Sequence, residues 1–373
     1  MTVKVKRKRG TWPICPIHHI MECGCAEQDK VLERLFRRKD ESRWSFWEDG
    51  VSSSLIALWL QCREQFRLEV VQGWRNFYTP LYFSFGTCGH WILQQAYAKK
   101  DPPDKTGVRK FVSQFEKLWR KEWPNAPQGQ LDVQEQVYGL AEAVMPAYFI
   151  RWAGDFPGHK YPCRHNTATP RKWLGLETQF SVEHVFKDGK VLRVRGTRDG
   201  MLEDAKNELR VFDSKFRSVI NEEDTLDALP KDLQQMLYNW ATWEDTGQCP
   251  GGTTMNIVRR PGHRRGKEES WKNFFSRISK DLHDPKKWDH NFIRMEMDIT
   301  KREIEDYYEN VLSPIFEDMR AWWEGRSPHY MNPNALVSKY GRCAMFQPIT
   351  TGRFPGMFQR PKGSIMSYQT DIT

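Results

Sequence analysis

The sequence predicts an α/β protein with a mixed central sheet flanked by helices and an N-terminal helical lobe packed to one side. Three observations predict it. Apolar residues recur at helical spacing through most of residues 51 to 152. Strict alternation replaces that period from Trp173 to Phe216, interrupted by turn-forming clusters at 187–190 and 204–208. Helical and strand patterns then follow one another as far as residue 326, an order that suits helices layered on a sheet.

Each element has a local reason. Residues 1–50 read as a basic arm that contains cysteine and histidine, with a charged helical stretch from Glu27 to about Asp40 and a break at Glu48-Asp49-Gly50. Ser52, Ser53 and Ser54 are helix-capping residues ahead of Leu55, Leu58, Trp59, Cys62 and Phe66, so a helix is expected over 51–73. Phe85 to His90 reads as a glycine-containing turn entering a second helix, and 105–123 and 131–152 continue the helical lobe, which is bounded at 51–172. Gly, Pro, His and Arg crowd 153–172, which reads as loop. Strands are expected at 173–186, 191–203 and 209–216, the first two joined by the Asp188-Gly189 signature of a tight hairpin. A helix over 230–246, a strand over 253–259, a basic loop with a short helix over 260–287, a strand over 292–299 and a long amphipathic helix over 301–325 complete a core bounded at 173–326. The tail from 327 to 373 reads as irregular.

Bulk properties narrow the class. The chain has 373 residues, enough for a sizeable core, and its 16 Trp argue against disorder. Lys+Arg number 57 against 48 Asp+Glu, a net charge of +9 that mildly favours a polyanionic partner. No apolar run approaches the ~20 residues of a membrane span, and no apolar signal core follows the basic start, so a cytoplasmic protein without membrane contact is expected. Eight cysteines in a chain of this length do not make a disulfide framework.

The chemistry concentrates at Asp213-Ser214-Lys215. On a strand, Asp213 and Lys215 project to one face and Ser214 to the other. A carboxylate holds a divalent cation, and an ammonium beside it orients a water and offsets developing negative charge. Three other Asp-x-Lys triplets, at 188–190, 204–206 and 284–286, fall in predicted turns, where such residues are ordinarily solvated. Only Asp213 and Lys215 lie among Val211, Phe212 and Phe216, where charges need partners or a task. Asp199, beside Gly200 at the end of the preceding strand, supplies a second carboxylate, although Asp-Gly pairs are often plain turns. Gln234 and Tyr238 share one helix face, suited to contact with a phosphate backbone and a sugar or base, although such a pair is more often a polar helix surface with the tyrosine half buried. His90 offers an imidazole that would favour Mn²⁺ beside oxygen donors. Together these residues point to metal-dependent cleavage of nucleic acid.

The order of motifs is similar to that of one family. Ser52-x-Ser54 with Cys62 and Phe66, Gly86-Thr87-x-x-His90, Gly196-x-x-Asp199-Gly200, Asp213-x-Lys215 and Gln234-x-x-x-Tyr238 together resemble the RecB-like exonuclease branch of the PD-(D/E)xK nucleases, over residues 51 to 343. The resemblance implies a restriction-endonuclease-like fold. It implies His90, Asp199, Asp213 and the Ser214 backbone carbonyl as ligands of Mg²⁺ or Mn²⁺, and Lys215 as the catalytic lysine. Gln234 and Tyr238 become residues near DNA and that lysine, and Glu177 an auxiliary acid. It also implies a deoxyribonuclease acting on single- or double-stranded DNA ends in recombination, repair or phage DNA processing. Relatives often carry a four-cysteine iron–sulfur cluster. Here Cys62 and Cys343 match two positions and no cysteine follows Cys343, so a 4Fe-4S cluster is not expected. No Gly-Lys-Ser/Thr phosphate loop is present, which leaves a free-standing, phage-type enzyme or one whose helicase or recombination partner is another chain.

Cys15, His18 (or His19), Cys23 and Cys25 offer four candidate Zn²⁺ ligands at irregular spacing, set against the plainer reading of a solvated arm with surface thiols. A noncatalytic nucleic-acid-binding protein that retains the fold, and an RNA-directed nuclease, stay open as alternatives.

Overall fold

The computed structural model describes residues 42–76, 81–157, 172–218, 221–338, 341–343, 345–354 and 357–359. The candidate zinc ligands of the N-terminal arm lie outside the described residues.

A five-stranded mixed sheet organises the chain. Strands β1 (Lys172–Val185) and β2 (Val191–Glu203) form the expected antiparallel hairpin. Its turn closes through Phe186 N–H to Lys190 C=O at 2.8 Å, with Gly189 at φ +80°. A left-handed residue is what such a turn demands. The next turn, into β3 (Leu209–Arg217), is built on Asp204, whose Oδ1 accepts from the backbone N–H of Lys206 and Glu208 at 2.8 and 2.9 Å. Thus Asp204-Ala205-Lys206 is turn chemistry, as its context predicted. Strand β4 (Gly252–Arg259) pairs parallel to β3, and β5 (Phe292–Asp298) antiparallel to β4, giving the spatial order β1-β2-β3-β4-β5.

Helices cover both faces. Alternation along the strands sends Val211, Ile257 and Ile293 to one apolar cluster and their neighbours Phe212, Val258 and Phe292 to the other. On the first face lie α1 (Ser53–Gln61), α5 (Leu233–Thr246) and the C-terminal helices α7 (Lys301–Tyr307) and α8 (Ser313–Trp323). On the second lie α2 (Leu81–Tyr97), α3 (Lys105–Glu122), α4 (Gln128–Arg151) and α6 (Trp271–Leu282). The expected lobe is therefore divided between the faces instead of stacking on one side. Its first helix and the turn after it meet α8 through Trp59, Phe66 and Trp322, whose rings pack edge to face at 4.9–6.0 Å.

Two further departures have local causes. Phe85 to His90 is the middle of α2 and not a turn entering it. Gly89 serves packing: a Cβ there would come within 2.2 Å of the Phe216 ring, so the missing side chain lets the helix sit directly on β3. The tail also contains structure, since Met357–Gln359 pairs antiparallel with Trp74–Asn76, and Trp74 stacks on Phe354 at 4.0 Å. A short helix at Glu222–Ala228, capped by Asn221, had no expected counterpart. No helix among the described residues is long and apolar enough to cross a membrane.

Candidate active site

The site opens where β2 and β3 part. Their ladder runs from Glu203/Leu209 to Gly200/Phe212, and beyond it β3 continues only against β4. Asp199 is the first residue past the last pair. Its Oδ2 accepts the Ser214 backbone N–H at 2.6 Å, so a carboxylate replaces the ladder partner which that N–H has lost. The sequence reading placed Asp199 beside Asp213 by hairpin geometry, and the structure does bring them together at the mouth of this splay.

Asp213 is fully buried on β3, facing α5. Lys215 Nζ lies 3.0 Å from its Oδ1 and 2.9 Å from its Oδ2. Gln234 closes a triangle by donating Nε2–H to Asp213 Oδ1 at 3.2 Å and accepting from Lys215 Nζ on Oε1 at 2.7 Å. Gln235, which no motif in the sequence marks, donates to Asp213 Oδ2 at 3.0 Å. Asp232 caps α5 through Gln235 N–H at 3.0 Å and so fixes the first turn that presents both glutamines. Tyr238, one turn on, is almost wholly buried and shares hydrogen bonds with Ser53 and Gln234. Burial, with Asp213 and Asp199 behind it, pushes its phenol well above the ordinary range. Tyr238 thus steadies Gln234 from the next turn of α5 and ties it to Ser53 of α1 rather than meeting solvent.

His90 enters from the opposite face on α2. Its Nδ1 is 3.3 Å from Asp199 Oδ2, and its ring packs edge-on to Phe216 at 5.3 Å. Glu177 enters from β1. The pairs Leu176/Gly200 and Thr178/Arg198 flank it, which puts it opposite Asp199 in the register. It has φ +47°, unusual for a residue with a side chain. One ligand atom each from His90, Glu177 and Asp199 lie within 4.8 Å of one another. Asp199 Oδ1 is buried and has no hydrogen-bond partner among the described residues. A buried, unpaired carboxylate oxygen beside an imidazole and a second carboxylate fits a divalent cation that accepts oxygen and nitrogen donors.

Electrostatics agree with that fit. Burial, then the charges of Asp199 and Asp213, push the Glu177 carboxyl up to about 8. Burial is also the main influence raising Asp213, opposed by Lys215 and reinforced by Asp199. Acids crowded in this way stay ionised together only beside extra positive charge.

Behind β3 the Ser214 side chain points to the other face, as strand alternation predicted. Its Oγ accepts from Asn256 Nδ2 at 3.1 Å, and Asn256 Oδ1 accepts from Tyr148 at 3.1 Å and Arg294 Nε at 3.3 Å. Arg294 is paired with Asp155, both side chains fully buried. No pattern in the sequence linked Ser214 to residues 148, 155, 256 and 294.

The family model of the PD-(D/E)XK nuclease superfamily matches residues 51–326, well over half of the chain and the whole of this site. The chain belongs to the PD-(D/E)XK nuclease superfamily. Its sheet and flanking helices are accordingly the restriction-endonuclease-like fold, and this member is a nuclease-type hydrolase whose substrate is nucleic acid. Such nucleases typically use divalent metals, which the His90, Glu177 and Asp199 group suits. No curated protein matches the chain. Among solved structures, the crystal structure of SSO0001 is similar at 8% identity over 69% of this chain and 85% of that one, with a TM-score of 0.21, a likeness that carries no argument.

Proposed function

We propose that this nuclease is a Mg²⁺- or Mn²⁺-dependent deoxyribonuclease of the RecB-like branch, working as an exonuclease on DNA ends in recombination, repair or phage DNA processing. The observation that carries the reading is the hydrogen-bonded triangle of Asp213, Lys215 and Gln234 set beside His90, Glu177 and Asp199. His90, Glu177 and Asp199 would hold the cation, bordered by Asp213 and the Ser214 carbonyl. When bound, the cation supplies charge neutralisation at the scissile phosphate and a lowered pKa for an attacking water.

The chain's own residues do the rest. Lys215 is held by two acceptors, Asp213 and Gln234, so its ammonium is aimed before substrate arrives. From there it orients the water and offsets negative charge as the new oxygen–phosphorus bond forms and the ester oxygen leaves. Gln234 keeps the ammonium in place, and Tyr238 keeps Gln234 in place. Asp199 Oδ2, by accepting the Ser214 N–H, fixes the distance between the two strands that carry the site. A cytoplasmic location, with a recombination or helicase partner on another chain, belongs to the same reading. An iron–sulfur cluster does not, because only Cys62 and Cys343 occupy matching positions.

The test is incubation of the full chain with end-labelled single- and double-stranded DNA, and with RNA of the same sequence, plus Mg²⁺ or Mn²⁺. Progressive shortening of DNA by the wild type, lost in Asp213→Asn while DNA binding persists, is expected. A wild type that binds DNA but leaves every substrate intact with Mn²⁺ would make this a noncatalytic binding protein; preferential degradation of RNA would make it a ribonuclease.

A further inference from the structure

A second feature lies outside the catalytic group, where the polypeptide leaves the sheet. Strands β3 and β4 run parallel, so both end at the same edge, with Arg217 opposite Arg259 two residues beyond Lys215. Loops at the carboxyl ends of parallel strands are where α/β folds receive ligands. Arg260 continues the pair by donating its backbone N–H to Arg217 C=O at 2.7 Å. The Nε of Arg260 is buried and meets no acceptor among the described residues. A cleft of about 300 Å³ follows, lined by Ser218, Arg259, His263, Asp281, Lys287 and His290.

From this cleft the loop after β4 runs back along α6. Arg277 ties it down, donating to Arg264 C=O at 3.1 Å and pairing with Glu269 at 2.8 Å. Between 259 and 272 the sequence places Arg259, Arg260, Arg264, Arg265, Lys267 and Lys272 against Glu268 and Glu269 alone. Arg264, Arg265 and Lys267 are exposed. The loop ends in an aromatic step. Trp271 is 43% exposed, stacks nearly parallel on Phe275 at 5.5 Å, and carries the Arg265 guanidinium over its ring at 4.7 Å. Phe275 is itself held against Gly139 of α4, where a Cβ would come within 2.2 Å of its ring. A solvated charge run needs neither an anchored loop nor a large aromatic held rigid at the surface.

The geometry points to a track for a single-stranded nucleic-acid segment, in which Arg217, Arg260, Arg264 and Arg265 follow successive phosphates and Trp271 stacks a base. The inference rests on the nuclease reading and extends it, because the track begins two residues from Lys215. The 12 residues of α6 span ~18 Å, the reach of a few nucleotides of an extended single strand. Phe275 backs one face of Trp271 and the Arg265 guanidinium covers the other, so a base stacks there as Arg265 swings out to a phosphate, and only an unpaired base can enter that stack, which is why the segment is single-stranded.

The experiment measures binding by fluorescence anisotropy in Ca²⁺, for labelled single strands of about 4 and about 16 nucleotides and for the longer strand as duplex. Arg264→Ser with Arg265→Ser should weaken the long strand about tenfold and reduce the slope of log affinity against log salt by ~1.4, with Arg264→Lys and Arg265→Lys restoring the slope. Trp271→Ala should weaken the long single strand about tenfold at every salt concentration, and the duplex hardly at all. The short strand cannot span the active site and the track together, so the variants should weaken it less than the long one. Thermal melts unchanged from wild type would exclude misfolding, as these side chains are exposed. Equal long-strand affinity in the wild type and both variants overturns the track, and so does duplex bound as tightly as single strand with no effect of Trp271→Ala. A wild type that binds the long strand with the predicted variant effects yet cuts nothing removes the nuclease reading and keeps the track. Cleavage by the wild type, with these variants unaffected in binding, removes the track alone.

Discussion

At the scale of single residues the site is a problem of charge. Glu177, Asp199 and Asp213 crowd together, and burial and mutual repulsion hold the Glu177 carboxyl near 8 against an ordinary value of 4.5. Between those two values the folded protein binds a proton that the unfolded chain has released. Stability without metal should therefore fall as pH rises from about 4.5 to about 8. A divalent cation reverses the sign by taking the proton's place. The rise in melting temperature on adding Mn²⁺ should then grow across the same window, and Glu177→Gln should flatten both trends; a melting temperature independent of pH in the wild type would contradict the assignment. Much of this site was legible in the sequence. Asp213 and Lys215 stood out because charges inside an apolar strand need a reason, and His90, Asp199, Gln234 and Tyr238 followed from motif order. Glu177 was visible only as an auxiliary acid. Its place opposite Asp199 depends on strand register, and its backbone strain has no sequence signature. Gln235 stood next to a recognised residue but was passed over, because the N-cap that orients it shows only in the helix itself.

At the scale of elements, what matters is how closely helices approach the strands that carry the site. Strand and hairpin boundaries were read nearly as observed, because alternation and the Asp188-Gly189 turn are local signals. Helix α2 was not, because Gly86 and Gly89 carry the composition of a turn while lying inside the helix, where Gly89 serves tight packing. That packing places His90 against Phe216 and Asp199. Gly89→Ala should force α2 outward, costing roughly 1–3 kcal/mol as an overpacked contact. It should also weaken Mn²⁺ binding more than a destabilised but intact site would. Thermal unfolding and metal titration of the same variant check both effects, and an unchanged Mn²⁺ affinity would show that α2 does not set the position of His90.

At the scale of the molecule, the sheet is held from both faces by segments distant in sequence. One tie is the Arg294–Asp155 pair, which links β5 to the segment after α4 and reaches Ser214 through Asn256. Both side chains are wholly inaccessible, so removing one strands the other. Asp155→Ala should cost about 3–5 kcal/mol in chemical denaturation, whereas an exposed pair such as Arg302–Asp306 should contribute less than ~1 kcal/mol. This tie was invisible beforehand, since its members at 155, 256 and 294 share no spacing. Likewise the division of the N-terminal helices between two faces depends on which apolar stripe meets which side of the sheet, which periodicity alone does not specify.

The central claim is that His90, Glu177 and Asp199 hold a cation beside a lysine that acts in hydrolysis rather than in metal binding. Titration of Mn²⁺ into the full chain, read by calorimetry alongside DNA cleavage, tests it most directly. Binding should be abolished or greatly weakened in His90→Ala, Glu177→Gln and Asp199→Asn. Lys215→Met should bind Mn²⁺ as the wild type does while losing at least ~100-fold in cleavage rate. Unaltered Mn²⁺ binding in the three ligand variants, or cleavage by Lys215→Met at the wild-type rate, would contradict the account.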